Sequence, residues 1–526
     1  MLDRRRQRSQ RPAETEYDAV VAGAGFGGLG AALALAEAGA RVLLCESLAY
    51  PGGCASTFER DGYRFESGAT LFSGLGPGQL FDRWIRRHGL DVEVDWIDPL
   101  VELRTPDWRL AVGRDRSALL RDLAAFPGAP RERLEAFFAL QQRVADTLWE
   151  VLDEPRLLPP LGPAALAAHL KRAPRYVRLL PWVGRPLRAV LDRLGLSGFE
   201  PLETYLEALC QITVQCGVDR AEAPLALAAV DYYYRRTGHV RGGIGRLAWG
   251  LLEAIEGAGG EVSLTNPVRG LRRVRNGWRV TTRRGEVRAR SVLANVLPQN
   301  LRALLGAEPG TSPALDARSR RLEDGWGACM LYLVARPPAG APAGARHLEL
   351  VGDPAQPFTL GNHAFCSISG AEDPGRAPGR PGELRTITVS THVPVRELQA
   401  LPESRRGEWI AGIQERTAGL VARLAPEWHA GLVHSMTASP RTFERFTGRH
   451  LGLVGGIPRQ AGLKVYTDAL GGPVLPGLQL VGDSVFPGQS ILAAALGGTR
   501  AARRVMGSGR RARRGVPAGP FALLRR

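Results

Sequence analysis

The feature that most restricts this chain is a set of three glycines placed between a strand and a helix near the N-terminus. Residues 17–22 (YDAVVA) are a short apolar run that predicts a buried strand. GAGFGG follows at once and sets Gly23, Gly25 and Gly28 in a G-x-G-x-x-G pattern. From Gly27 to Gly39 the chain is rich in alanine and leucine and stops at a glycine, which predicts a helix. A second strand, RVLLCE, ends at Glu46, 23 residues beyond Gly23. Each part has a physical task. Gly23 permits the tight turn, Gly25 lets the backbone approach a pyrophosphate, and Gly28 allows helix to pack closely on strand. The helix start offers free N–H groups to phosphate, and the Glu46 carboxylate is placed to accept from ribose hydroxyls. The uncharged run from Ala19 to Ala36 is long enough to resemble a membrane span or, after the arginine-rich start, a signal peptide. The glycine spacing assigns it to a dinucleotide site instead, and no other stretch is long enough to span.

Two further segments bear on which dinucleotide is held. PGGCASTF puts Gly52 and Gly53 in a loop where a second backbone segment can approach a cofactor. Far downstream, an apolar strand (478–481) ends in Gly482-Asp483, and Pro487-Gly488 precede an alanine-rich helix. Strand, acidic turn and helix start suit the ribityl and pyrophosphate part of a flavin. Taken alone, this segment also reads as an ordinary strand-to-helix turn.

Together these stretches resemble the FAD-dependent carotenoid desaturase and isomerase family of the flavin amine oxidase superfamily, which includes phytoene desaturases, carotene isomerases and retinol saturases. The resemblance rests on the fingerprint, GGCASTFERDGYRFESGAT (52–70), RGGIGRLAWGLLEAIEGAGGEV (241–262), SPRTFERFTGRHLGLVGGIP (439–458) and VGDSVFPGQS (481–490). It implies FAD as cofactor and a hydrophobic polyene as substrate. It places Gly23, Gly25, Gly28 and Glu46 at the adenosine diphosphate site, and Gly53 in the loop beside the cofactor. It also implies a backbone contact from Val268 to adenine, a flavin contact at Gly482-Asp483, and Gln489 and Ser490 at a helix start near the ring. Many relatives carry arginine after the double glycine; this chain has Cys54, which weakens the analogy with amine oxidases.

The resemblance implies an α/β protein, with a discontinuous Rossmann-type FAD-binding domain (17–100, 239–300 and 445–507) and an inserted α+β substrate domain (101–238 and 301–444). Residues 1–16 and 508–526 are then basic tails. The middle flavin piece is legible on its own. Residues 244–258 predict an amphipathic helix, EVSLTNPV a strand, and WRVTTRRGEVRARSVLANV a hairpin with a buried strand. Pro/Gly-rich stretches at 336–346 and 371–383 read as linkers or surface insertions. Tyr232, Tyr233 and Tyr234 read as a half-buried strand, with a polyene tunnel lining as the alternative.

At 526 residues the chain is long enough for two or three domains, and 44% hydrophobic with 23% charged residues is ordinary globular composition. Six scattered cysteines with no CxxC argue against a disulfide framework and for a reducing cytoplasm. The nine histidines show no metal spacing. The net charge of +17 is carried almost wholly by arginine, with Lys171 and Lys464 the only lysines. Basic runs at 4–11 and 503–514 suit anionic lipid, whereas no nucleic-acid recognition module accompanies them. Residues 155–199 mix leucine, proline and arginine with few acids. They read equally as interfacial helices or as a cap packed on protein. These features predict a cytoplasmic protein, free or held at the inner face of the membrane. In a desaturase, hydride would pass to the flavin; in an isomerase, the flavin would assist rotation about a double bond. An amine-oxidising flavoenzyme, a retinol-saturase-like reductase and a non-catalytic flavoprotein stay as alternatives. No catalytic acid or base and no oligomeric state can be assigned.

Overall fold

The structure, a computed structural model, describes residues 16–306 and 313–514. The run 4–11 lies outside the described residues, and 503–514 continues the helix Ile491–Arg514. The fingerprint folds as strand Glu16–Ala22, helix Phe26–Glu37 and strand Val42–Cys45, with the two strands parallel. The strand faces are closed to water on both sides, as a central parallel strand requires: Val20, Val21, Val42 and Leu44 have no exposed surface.

The sheet built around it has seven strands. Val42–Cys45 is flanked by Glu261–Ser263, and Glu16–Ala22 by Gly285–Ala294, all parallel. The strand Gly285–Ala294 changes neighbours along its length. Its first half pairs antiparallel with Gly277–Thr282, which in turn pairs with Val268–Val274. Its last residues, Val292–Ala294, pair parallel with Leu478–Leu480. Helix Ile491–Arg514 then crosses the fingerprint helix at very short range. A Cβ on Gly498 would stand 2.0 Å from the Gly27 carbonyl oxygen, and one on Gly30 would stand 2.5 Å from that of Ala495. Small residues on both helices are what let the C-terminal segment reach the phosphate loop.

A second seven-stranded sheet runs Leu432–Ala438, Trp326–Ala335, Arg385–Pro394, His363–Ile368, Arg346–Val351, Val101–Arg104, Arg109–Val112. All its pairs are antiparallel except Arg346–Val351 with Val101–Arg104. A helical block including Arg131–Asp153, Glu200–Thr213 and Ala223–Val230 packs beside it around Phe137, Leu206 and Leu227.

One expectation needs correction. Tyr232–Tyr234 form no strand; Asp231–Tyr234 is a 3-10 turn. The cause is Asp231, which is fully buried and held by Arg116, Arg235 and Gln141, so the chain must curl around it. The stretch 371–383 is a largely exposed loop, as expected, but it is anchored at two points. Asp373 accepts from His239 at 2.8 Å and Arg376 donates to Glu66 at 2.5 Å, and all four side chains are buried.

Candidate functional site

One cavity of about 800 Å³ lies between the fingerprint sheet, the second sheet and the helical block. Gly23, Gly25, Glu46, Gly53, Val268, Gly482, Asp483, Gln489 and Ser490 all line it. Gly28 does not; it lies beneath, where a Cβ would sit 1.9 Å from the Gly23 carbonyl oxygen. Its role is the packing that brings helix to turn.

The phosphate end is built from backbone. Gly25 caps the fingerprint helix without any side-chain hydrogen bond, so the first-turn N–H groups have no intrahelical partner. The loop at 52–53 is laid against this turn: the Gly52 N–H donates to the Ala24 carbonyl at 2.9 Å, and Gly25 and Gly52 form a bridge. Gly53 sits at φ 61°, a left-handed conformation that favours glycine, with its Cβ position 3.5 Å from Gly25 Cα.

Glu46 has an additional duty. Its carboxylate accepts the N–H of Ala24 at 2.6 Å, the N–H of Leu48 at 2.9 Å and the Ser47 hydroxyl at 2.8 Å. Three of roughly four acceptor directions are filled, which leaves one for a ligand hydroxyl. The same acid thus ties the turn to the end of the second strand.

Asn295 is a site residue that the sequence reading missed. It directly follows the buried strand Gly285–Ala294 and donates its N–H to the Ala22 carbonyl at 2.8 Å. Its side chain fills the space between the two glycine turns: Cβ atoms on Gly25, Gly27 and Gly482 would each fall within 2.7 Å of its amide. Arg449 is the second omission, paired with Asp483 at 2.7 Å on the cavity wall. Arg459 is the third. It is 8% exposed, donates to the Pro487 carbonyl at 2.9 Å, and has no carboxylate within 4 Å among the described residues. Burial pulls its guanidinium down to about 10, which leaves it cationic at neutral pH.

Ser490 sits at φ 90°, a left-handed conformation that is strained for a side chain of any size. Its hydroxyl accepts the Ala493 N–H at 3.1 Å and so caps the last helix. Gln489 donates to the Ile212 carbonyl, and its Oε1 is buried without a partner among the described residues. An uncapped helix start, closely apposed glycine turns, a buried cation and an orphaned amide oxygen fit an anionic dinucleotide carrying a polar ring.

Beyond this end the wall is apolar, with Leu148, Leu152, Leu158, Leu225, Ala228 and Ala229 from the helical block. Tyr232 and Tyr233 belong to it, but their hydroxyls are held elsewhere, by the Leu71 carbonyl at 2.8 Å and by Glu349 at 2.9 Å. Cys54 lines the cavity as well; burial raises its thiol, so it remains protonated rather than nucleophilic. His434 and Ser435 lie in the strand Leu432–Ala438 and do not line the cavity.

The sequence pattern described as flavin containing amine oxidoreductase matches residues 26–506. The chain is similar to the chloroplastic prolycopene isomerase of Arabidopsis thaliana, at 25% identity over 94% of this chain and 83% of that protein. It is also similar to the neurosporene-forming phytoene desaturase of Cereibacter sphaeroides, at 27% identity, but over 49% of this chain and 48% of that one. An oxidoreductase structure from Methanosarcina mazei superposes with a TM-score of 0.62 over 94% of this chain and all of that chain, at 16% identity. The last likeness shows the fold alone.

Proposed function

The chain belongs to the flavin-containing amine oxidoreductase family, and from that premise we propose that it is an FAD-dependent enzyme acting on a carotenoid or a related polyene, with cis-trans isomerisation as the reaction. The observation that carries the polyene reading is the apolar chamber continuous with the dinucleotide end of the cavity. What favours isomerisation over desaturation is the extent of similarity: the prolycopene isomerase aligns over 94% of the chain and the desaturase over 49%.

Bound FAD would supply the electron chemistry, and the protein supplies a dry, oriented site. Gly25, Gly53, Glu46 and Asn295 would hold the dinucleotide end. Arg459 offers a fixed positive charge beside the Pro487-Gly488 turn, where extra electron density on a bound ring would be stabilised. The Tyr232 and Tyr233 hydroxyls are already bonded, to the Leu71 carbonyl and to Glu349, so their rings present aromatic surface to an apolar chain. Burial lowers the His392 imidazole on this wall to about 3, keeping it neutral. A substrate of this kind dissolves in the bilayer, so the reading includes work at the inner face of the membrane.

The test is expression in bacteria that accumulate phytoene, lycopene or poly-cis lycopene, with pigments analysed by chromatography and mass. Isomerisation gives unchanged mass and a shifted retention. Loss of two hydrogens would establish a desaturase instead, and gain of two a reductase. No change with any polyene, despite bound FAD, would overturn the polyene reading.

A further inference from the structure

The helix Pro163–Val177 is built inside out. Ala165 is its one buried residue, while Leu166, Leu170 and Val177 are 51%, 75% and 60% exposed. Leu180, in the turn just beyond, is 62% exposed. At 100° per residue the three helical positions fall within about 40° of arc and form one stripe. A surface helix ordinarily buries such a stripe. Here the side toward the protein is polar instead. Arg172 and Arg175 donate to Glu150 at 2.7 and 2.6 Å, and His169 bridges the Tyr176 hydroxyl and the Leu157 carbonyl at 2.8 and 2.9 Å.

The surroundings of the stripe are cationic. No aspartate or glutamate occurs between Glu154 and Asp192. Lys171 and Arg178, next in the chain to Leu170 and Val177, are exposed and have no carboxylate within 4 Å among the described residues, and Arg185 further on is exposed as well. Leu463, 66% exposed, lies against this region, its Cδ2 3.6 Å from where Gly184 would carry a Cβ. Lys464, exposed, follows it in the chain.

We propose that this face is an interfacial docking surface for a bilayer containing anionic phospholipid. Leucines dip below the headgroups while lysine and arginine meet the phosphates, the pattern of a helix lying in the membrane plane. The helix of 15 residues would extend about 22 Å, too short to cross a hydrocarbon core of roughly 30 Å. Charge also decides against a second copy as the occupant, because a two-fold contact would set one cationic rim against another. The surface adjoins the cavity. His169 holds the Leu157 carbonyl, and Leu158 beside it is part of the apolar wall. The proposal rests on the polyene reading only for why a membrane is needed.

The test is flotation of the full-length FAD-loaded protein with vesicles of phosphatidylcholine, alone or mixed with phosphatidylglycerol. Binding is expected to the mixed vesicles and to weaken with salt. Leu166→Glu with Leu170→Glu should lower it at least about tenfold, because two anchors are lost and two charges enter the interface. Lys171→Glu with Arg178→Glu should remove the preference for phosphatidylglycerol. Val433→Glu, at a side chain 42% exposed on another surface, should leave binding unchanged. Absence of wild-type flotation, or equal flotation of the leucine variant, would overturn the proposal. So would a lipid-free dimer that the leucine variant dissociates. Pigment conversion in detergent separates the two readings: lost conversion with intact flotation refutes the polyene reading and leaves the docking surface standing.

Discussion

Arg449 Nη2 lies 2.7 Å from Asp483 Oδ2, so the acid of the C-terminal turn is neutralised before any ligand arrives. Arg449 also donates through Nε to the Leu453 carbonyl at 2.5 Å, which fixes the guanidinium in place. Replacing it by methionine leaves a partly buried carboxylate unpaired. Arg449→Met should cost about 2 kcal/mol, below the loss for a fully buried pair, and should lower bound FAD. Adding Asp483→Asn should recover much of that stability, because no lone charge remains. Thermal melts and the flavin-to-protein absorbance ratio check both statements.

Two glycines should respond with opposite sign to the same substitution. Gly28→Ala puts a methyl 1.9 Å from the Gly23 carbonyl oxygen, which forces helix and turn apart. A loss of about 2 kcal/mol and poor flavin retention are expected. Gly257 is exposed at the end of helix Ile244–Gly257, with nothing within 4 Å of a Cβ. Gly257→Ala should therefore stabilise by about 0.5 kcal/mol, chiefly by restricting the unfolded chain. Denaturant melts of the two variants give the comparison.

What could be read in advance follows from the range of the interactions. Gly23, Gly25, Gly28 and Glu46 are legible because a strand, a tight turn and a helix impose a fixed spacing within one short segment. Asn295 follows no such rule. It matters because a distant turn at Gly482 arrives against it, and nothing near position 295 announces that. The stretch 371–383 has loop composition, yet Asp373 and Arg376 are buried by partners more than a hundred residues earlier in the chain. Tyr232–Tyr234 have strand-like side chains, but the buried Asp231 beside them determines the backbone.

The Asp373 carboxyl carries an acid-sensitive share of stability. Burial by itself would raise it, but the His239 hydrogen bond, the His239 and Arg376 charges and the Gly370 N–H together hold it at about 2. A carboxyl depressed below its unfolded value of roughly 3.9 stabilises the fold above that pH. The contribution, about 2 kcal/mol, is lost as pH falls from about 4 to about 2. Asp373→Asn should flatten the pH dependence of the melting temperature across that window. An unchanged slope would mean that another group carries it.

The His347 imidazole contributes with the same sign over a higher range. Burial, followed by the neighbouring His239, lowers it to about 3. The unfolded chain takes up that proton below about 6.5 and the folded one does not, so stability falls steadily from there toward pH 3. His347→Phe keeps a ring against Phe365, on which the imidazole stacks at 5.7 Å, and removes the proton uptake. Its stability should change less than wild type between pH 6 and 4, as measured by urea titration at each pH.

Narrowing the chamber separates substrate from cofactor. Ala229 lines the apolar wall far from the glycine turns in sequence, in the helix Ala223–Val230. Ala229→Phe should leave the bound flavin spectrum unchanged while lowering polyene conversion at least about tenfold, since the ring occupies the space of the substrate. Equal loss of flavin and conversion would show that the two ends of the cavity are not independent.

The exchange of neighbours along Gly285–Ala294 also sets a timetable for biosynthesis. The fingerprint strands are complete once Glu46 has emerged from the ribosome, but the strand that closes the same sheet begins at Leu478. At roughly 5 to 20 residues per second, the intervening 431 residues (47–477) take on the order of 20 to 90 s. Until then Val292 and Leu293 can pair only with Val20 and Val21 on one side, and the phosphate turn lacks Gly482, against which Asn295 packs. The cofactor end of the cavity is therefore complete only after the C-terminal turn at Gly482-Asp483 has been made.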